Sequence, residues 1–137
     1  MNLLVETVKT GSFQENSFIG WYPNSTEAFL IDPGDDAHLI AEFIERNSLI
    51  PKAIINTHAH LDHIGAVQSL KEKFNIPFYL HRNEKIILDS YEVSCQFFGI
   101  QPNQKPNVDM WFDDECELII NKFKINEISN RANAIKK

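Results

Sequence analysis

Apolar positions near the start of the chain alternate in the β manner, and their period changes after residue 34. Leu3 to Lys9 alternates in part and is rich in β-forming residues, so it predicts an opening strand that ends near Gly11. Ser17 to Tyr22 predicts a second strand, closed by the turn Pro23-Asn24-Ser25. Ala28 to Ile31 predicts a third, stopped by Asp32-Pro33-Gly34. Turn chemistry at each join makes this a β-meander. Ala37, Ile40, Ala41 and Ile44 then recur at i, i+3, i+4 and i+7, with Phe43 widening the stripe, and predict a helix. Asp35 and Asp36 stand where an N-cap accepts backbone amides and complements the helix dipole.

Ala53-Ile54-Ile55 is a short, wholly apolar run, as expected of a strand buried on both faces in a βαβ unit. A second helix is expected from Ile64 to Phe74, with Ile64, Val67, Leu70 and Phe74 on one side and Asn75-Ile76-Pro77 as its stop. Phe78-Tyr79-Leu80 continues the βαβ order, and Asn83 to Asp89 reads as a short helix. Tyr91 to Gly99 fits neither period, and Gln101 to Asn107 is a polar, Pro-containing loop. Two last strands are expected at Glu117 to Ile120 and Phe123 to Ile128. The polar residues Ser129 to Lys137 read as a disordered tail, leaving residues 1–128 as one domain.

Between the βαβ strand and its following helix lies Thr57-His58-Ala59-His60-Leu61-Asp62-His63, with three imidazoles and a carboxylate within six residues. These are the ligand types of a hydrolytic Zn²⁺ centre, with one ion or a pair. His58 and His60 are one residue apart, so extended backbone at a strand end projects both rings the same way. Asp62 and His63 follow where the chain turns into the helix and are placed for a second ion. The competing reading is a His-rich surface loop with Asp62 as a helix cap. With only five His in the whole chain, three within six residues favour metal binding.

Composition narrows the partners. The 137 residues are 43% hydrophobic and 23% charged, which is ordinary for one globular domain. A net charge of −6 argues against nucleic acid or an anionic membrane as partner. The N-terminus lacks the basic and long apolar regions of a signal peptide, and no apolar run reaches the length of a membrane span. Two cysteines, Cys95 and Cys116, imply no disulfide framework. A cytoplasmic location is the expectation.

His58-x-His60-x-Asp62-His63, preceded by Thr57 and followed by Ile64-Gly65, resembles the signature of the metallo-β-lactamase superfamily. Its flavour is that of the small glyoxalase II-like (hydroxyacylglutathione hydrolase-like) members. Gln14-Glu15-Asn16-Ser17-Phe18, Phe29-Leu30-Ile31-Asp32-Pro33-Gly34 and Ile54-Ile55-Asn56-Thr57 match as well. The resemblance implies an α/β fold of the αβ/βα sandwich type. It further implies that His58 and His60 bind one metal, that Asp62 and His63 bind a second, and that Asp62 assists proton transfer. Members with a diiron redox site usually carry Glu where this chain has His60, so the resemblance favours zinc, with iron and manganese open. The implied reaction is hydrolysis of a small-molecule thioester or ester by water activated at the metal.

The family's further ligands, a third His for the first metal, a bridging Asp and a last His, lie in its second half. This chain has no His after His81, so the resemblance implies a fold cut to about its first half. A sheet so shortened is expected to leave one face uncovered and to self-associate through it. An inactive half-domain that binds metal weakly or pairs with another protein is the alternative to a working hydrolase. Asp109, Asp113, Asp114 and Glu115 are possible substitute ligands, or simply a solvated acidic loop. Asp32 is either a hydrogen-bond partner of the metal loop or a turn former. His81 and His38 are weaker ligand candidates. Trp21, Tyr22, Trp111 and Phe112 are expected in core packing.

Overall fold

Leu4–Thr10 (β1) and Glu15–Trp21 (β2) pair antiparallel in unbroken register, from Leu4 opposite Trp21 to Thr10 opposite Glu15. Glu27–Ile31 (β3) adds antiparallel to β2. These belong to a computed structural model that describes residues 4–11, 14–56, 58–113, 119–120 and 123–124. Ile50–Asn56 (β4), Phe78–His81 (β5) and Met110–Phe112 (β6) then add one after another, each parallel to its predecessor. The order in the six-stranded sheet is therefore the order in the chain. Ile119–Ile120 (β7) and Phe123–Lys124 (β8) form a separate antiparallel pair at the two expected last strands. The expected end of the domain at residue 128 and the tail 129–137 lie outside the described residues.

Helices connect the parallel strands, because a parallel step must return the chain to the same edge of the sheet. Ala37–Arg46 (α1) joins β3 to β4 and buries Ile40, Ala41 and Ile44, three of the four residues of its predicted stripe. Phe43 widens the stripe as expected and packs on Trp21, with ring centroids 5.9 Å apart. The connection from β4 to β5 is broken in two, Leu61–Ile64 (α2) and Val67–Phe74 (α3), where a single helix was expected. The break falls at Gly65-Ala66, whose chain is pinned sideways by the Ala66 amide donating to the Pro33 carbonyl at 3.1 Å. Lys85–Asp89 (α4) and Tyr91–Phe97 (α5) precede β6. The segment from Tyr91, ambiguous in sequence, is thus helical and buries Tyr91 and Cys95.

Asp36 occupies the N-cap position of α1 but caps nothing with its side chain. Its backbone is left-handed (φ 49°), and Oδ2 instead accepts from the Gly11 amide at 2.9 Å, while Asp35 Oδ1 accepts from the Asp36 amide. The carboxylate expected to start the helix therefore ties it to the β1–β2 hairpin.

Alternation along the strands divides the sheet into two apolar faces. One carries Ile19, Leu30, Ile54, Phe78 and Leu80, packed with Ile40, Ile44, Ile64, Val67, Leu70 and Tyr91 of the helices. The other carries Phe18, Phe29, Ile31, Ala53, Ile55 and Phe112, with Val5, Tyr22 and Tyr79 against them. This second face was expected to stand open to solvent. It does not: Phe29, Ala53 and Ile55 are 0% exposed and Phe18 and Ile31 1%. Among the described residues these side chains pack closely on one another.

Asp109 fastens the far edge. Its carboxylate meets Lys71 Nζ at 2.8 Å and accepts from the Phe78 amide at 2.7 Å, and its own amide donates to the Phe78 carbonyl. Partial burial alone would raise its pKa, but the bonds from Lys71 and Phe78 outweigh it and hold the carboxyl below the usual carboxylate range. Asp109 is thus a structural anchor, not a substitute ligand.

Tyr91 gives the fold an alkaline limit. Burial pushes its phenol up to about 12, against the opposing hydrogen bond from the Asn103 amide. The folded state favours the neutral phenol, so this contribution is complete below the unfolded pKa near 10 and is lost as pH rises towards 12. Chemical melts between pH 9 and 12 should show stability falling in that window, with Tyr91→Phe flattening the fall.

Candidate metal centre

The C-terminal ends of β3 and β4 and the start of β2 meet at one end of the sheet, because β2 runs antiparallel to β3 and β4 parallel to it. Ligand-bearing loops collect at such an end. Asn56, the last residue of β4 and fully buried, holds them together. Its Oδ1 accepts from the Asp32 amide at 3.1 Å, and its Nδ2 donates to the carbonyls of His58 (3.1 Å) and His63 (2.8 Å). One carboxamide therefore clasps the turn after β3 to both ends of the histidine loop. Replacing it by Leu, of similar shape, strands a buried amide and frees two loop carbonyls, at about 1–3 kcal/mol per group left unsatisfied. Urea unfolding of Asn56→Leu should show a loss of about 3 kcal/mol or more.

Other bonds fix the loop from inside. The His63 amide donates to the His60 carbonyl at 2.8 Å, and the Ala59 amide, between the first two histidines, donates to Glu84 Oε1 at 2.9 Å. The turn at Asp32-Pro33-Gly34 is held by the Gly34 amide donating to Ser17 Oγ at 3.1 Å. Asp32 takes a left-handed backbone (φ 51°), which Asp tolerates better than most residues. Backbones here approach so closely that a Cβ on Gly34 would lie 2.2 Å from the Asp62 carbonyl oxygen. One on Gly65 would lie 2.1 Å from that of Gly34.

His63 is the hub. Its Nδ1 faces Asp32 Oδ2 at 3.5 Å, and its Nε2 faces Asp62 Oδ1 at 3.6 Å and Glu15 Oε2 at 3.9 Å. The His63 ring is 5.3 Å from that of His58, and His60 is 5.9 Å from His58 on the outer, exposed side. Ligand atoms fall into two overlapping groups, Asp32 with His58 and His63, and Glu15 with Asp62 and His63, each within 4.8 Å. Glu15 and Asp62 bring two carboxylates to one side of the His63 ring, where their like charges repel, and Asp32 brings a third to the other side. A divalent cation suits this donor set of nitrogens and carboxylates.

Of the four residues expected from sequence, His58, Asp62 and His63 fall within these groups, His58 together with His63, whereas His60 belongs to neither. Asp32, for which a turn and a partner role were both open, faces the His63 ring. Glu15 was not expected; its strand was read as starting two residues later, and only the β2–β3 pairing brings it to the loop. His38 is exposed on α1. His81 packs edge-on against Phe112 at 5.5 Å and accepts the Asn83 amide through Nδ1. Neither joins the cluster among the described residues. Asp114, Glu115 and Cys116 lie outside them, and Cys95 is a buried free thiol.

Asp62 also borders a pocket of about 70 Å³ shared with Thr10, Leu61, Tyr91, Cys95 and Gln101. Ligand sites usually measure roughly 300–1,000 Å³, so this one holds water or a small substituent and not a whole substrate. No helix among the described residues is long and apolar enough to cross a membrane.

A family model described as the metallo-beta-lactamase superfamily matches residues 10–130. The chain is 37% identical over 120 residues to the probable metallo-hydrolase YqgX of Bacillus subtilis, covering 86% of this chain and 56% of that one. It is 31% identical over 121 residues to the hydroxyacylglutathione hydrolase GloC of Haemophilus influenzae, covering 84% and 54%. Among solved structures it is similar to the BLEG-1 B3 metallo-beta-lactamase, with TM-score 0.78, 33% identity, and coverage of 88% of this chain and 58% of that one. It is also similar to TTHA1623 in a di-iron-bound form, with TM-score 0.73, 30% identity, and coverage of 87% and 58%. The chain spans little more than half the length of these relatives.

Proposed function

The chain belongs to the metallo-beta-lactamase superfamily, and from that premise we propose that it works in a metal-dependent hydrolase of small-molecule thioesters. The observation that carries the reading is the convergence of His58, Asp62 and His63 with Asp32 and Glu15 at one end of the sheet. His58, His60, Asp62 and His63 are the residues that would hold the metal, in one or two ions. Zinc is the first candidate on the donor set. Iron is the second, since one solved relative holds two irons. Such an ion, when bound, lowers the pKa of water to about 7 and polarises a carbonyl.

The chain's own residues supply orientation and proton transfer. Asp32, fully buried, faces Nδ1 of His63 and so favours the proton on that nitrogen, leaving the Nε2 lone pair for a ligand role. Asn56 and Glu84 hold the peptide between His58 and Ala59, one at its carbonyl and the other at its amide. Asp62, a quarter exposed beside the pocket, is placed to take a proton from water and return it to the leaving group. A thiolate leaves readily, so acid assistance need only be modest. Thioester substrates are favoured because a relative at 31% identity is a hydroxyacylglutathione hydrolase.

Elemental analysis of freshly purified protein, with thioester turnover read from thiol release, tests the reading. Retained zinc or iron with turnover that His58→Ala/His60→Ala abolishes is the expected result. A chain that holds no transition metal overturns the metal reading, and bound metal without thiol release overturns the substrate.

A further inference from the structure

We propose that Glu15 is itself a ligand of the cation held by Asp62 and His63, so that a hairpin residue completes a three-ligand centre with the loop. The inference rests on the metal reading above and adds a residue to it.

Distances carry it first. Glu15 Oε2 lies 3.9 Å and Asp62 Oδ1 3.6 Å from the same nitrogen, His63 Nε2. Both separations exceed hydrogen-bond length, about 2.7–3.2 Å. Ligands bound to zinc at about 2.0–2.2 Å in a tetrahedron stand about 3.3–3.6 Å apart. Each carboxylate oxygen thus needs to close on Nε2 by only a few tenths of an ångström to share one ion with it, and the three ligand atoms already lie within 4.8 Å of one another. The nitrogen is also turned the right way, because Asp32 faces the opposite side of the ring, 3.5 Å from Nδ1.

Position carries it second. Glu15 opens β2 and is locked opposite Thr10 by an unbroken antiparallel register. Two residues on, Ser17 Oγ bonds Thr10 Oγ1 at 3.0 Å and accepts the Gly34 amide. The carboxylate is therefore delivered by a rigid strand end whose neighbours also hold the turn behind Asp62. Its side chain is 23% exposed, about as shielded as that of Asp62 at 27%. A merely solvated surface glutamate would stand away from the ring.

The test compares Glu15→Gln with wild type and with Glu6→Gln, which removes one charge from an exposed site on β1. Chelator competition measures Zn²⁺ affinity, the visible spectrum of the Co²⁺-loaded protein reports coordination, and a thermal melt of the metal-free form checks folding. The expected result is a fall in affinity of about 100-fold or more and an altered Co²⁺ spectrum for Glu15→Gln alone, with its melt unchanged. Should that variant not fold, Glu15→Asp keeps the charge one methylene shorter and should alter the Co²⁺ spectrum in the same way. Wild-type affinity and spectrum in the substituted protein overturn the inference while leaving the metal reading intact. A wild-type chain that binds neither ion overturns both.

Discussion

His63→Ala should lower divalent-metal affinity more than 100-fold, about 3 kcal/mol, a larger loss than any other single ligand substitution. Every other member of the cluster belongs to one group of ligand atoms, and His63 belongs to both. His60, by contrast, joins neither group and stands exposed, so His60→Ala should cost less. The substitution also acts without metal, because the imidazole faces Asp32, a carboxylate with no exposed surface. Removing a partner of a buried charge costs about 3–5 kcal/mol at its upper range. Chelator competition on His58→Ala, His60→Ala and His63→Ala gives the ranking directly. An equal loss in all three would mean that the ring grouping does not govern affinity.

Gly65→Ala should destabilise the chain by about 3 kcal/mol or more, at the top of the range for overpacking. The added methyl would lie 2.1 Å from the Gly34 carbonyl oxygen, and both partners are backbone, so no rotamer change relieves the clash. The turn after β3 and the α2–α3 junction would have to separate, which pulls Asp32 away from His63. For a domain of this size each kcal/mol lowers the melting temperature by about 4 °C, so a fall of at least 10 °C is expected. Metal affinity should fall with it. A melt within 2 °C of wild type would show that the two backbones part without cost.

Periodicity revealed what depends on neighbouring residues. The stripe Ile40, Ala41, Ile44 and the apolar run Ala53 to Ile55 declared a helix and a buried strand, and both stand where expected. The same reasoning ran Ile64 to Phe74 as one helix, since a break at Gly65 arises from the approach of Gly34, far away in the chain. β6 is three residues long, too short for alternation to register. Asp36 looked like a cap because cap chemistry is local, while its actual donor, the Gly11 amide, is not. In the candidate site, the spacing of His58, His60, Asp62 and His63 was legible because four ligand types crowd six positions. Glu15 was not, for its role depends on the register of β2 against β3. Nor was the closed second face, which alternation marks as apolar without saying what meets it.

Strand order in the main sheet follows chain order without a single exchange. A chain leaving the ribosome N-terminus first therefore always finds the edge for its next strand already laid down. Sheets with shuffled orders must wait for distant segments and pay the entropy of closing long loops before pairing rewards them. Here β1 and β2 are the first pair available, β3 adds to their edge, and each helix returns the chain to a waiting edge. Glu15, Asp32, His58, Asp62 and His63 all precede β5, so the ligand cluster can assemble before the last strands are synthesised. A cation captured at that stage would act as a clamp on a nascent intermediate, coupling metal supply in the cell to the yield of folded chain.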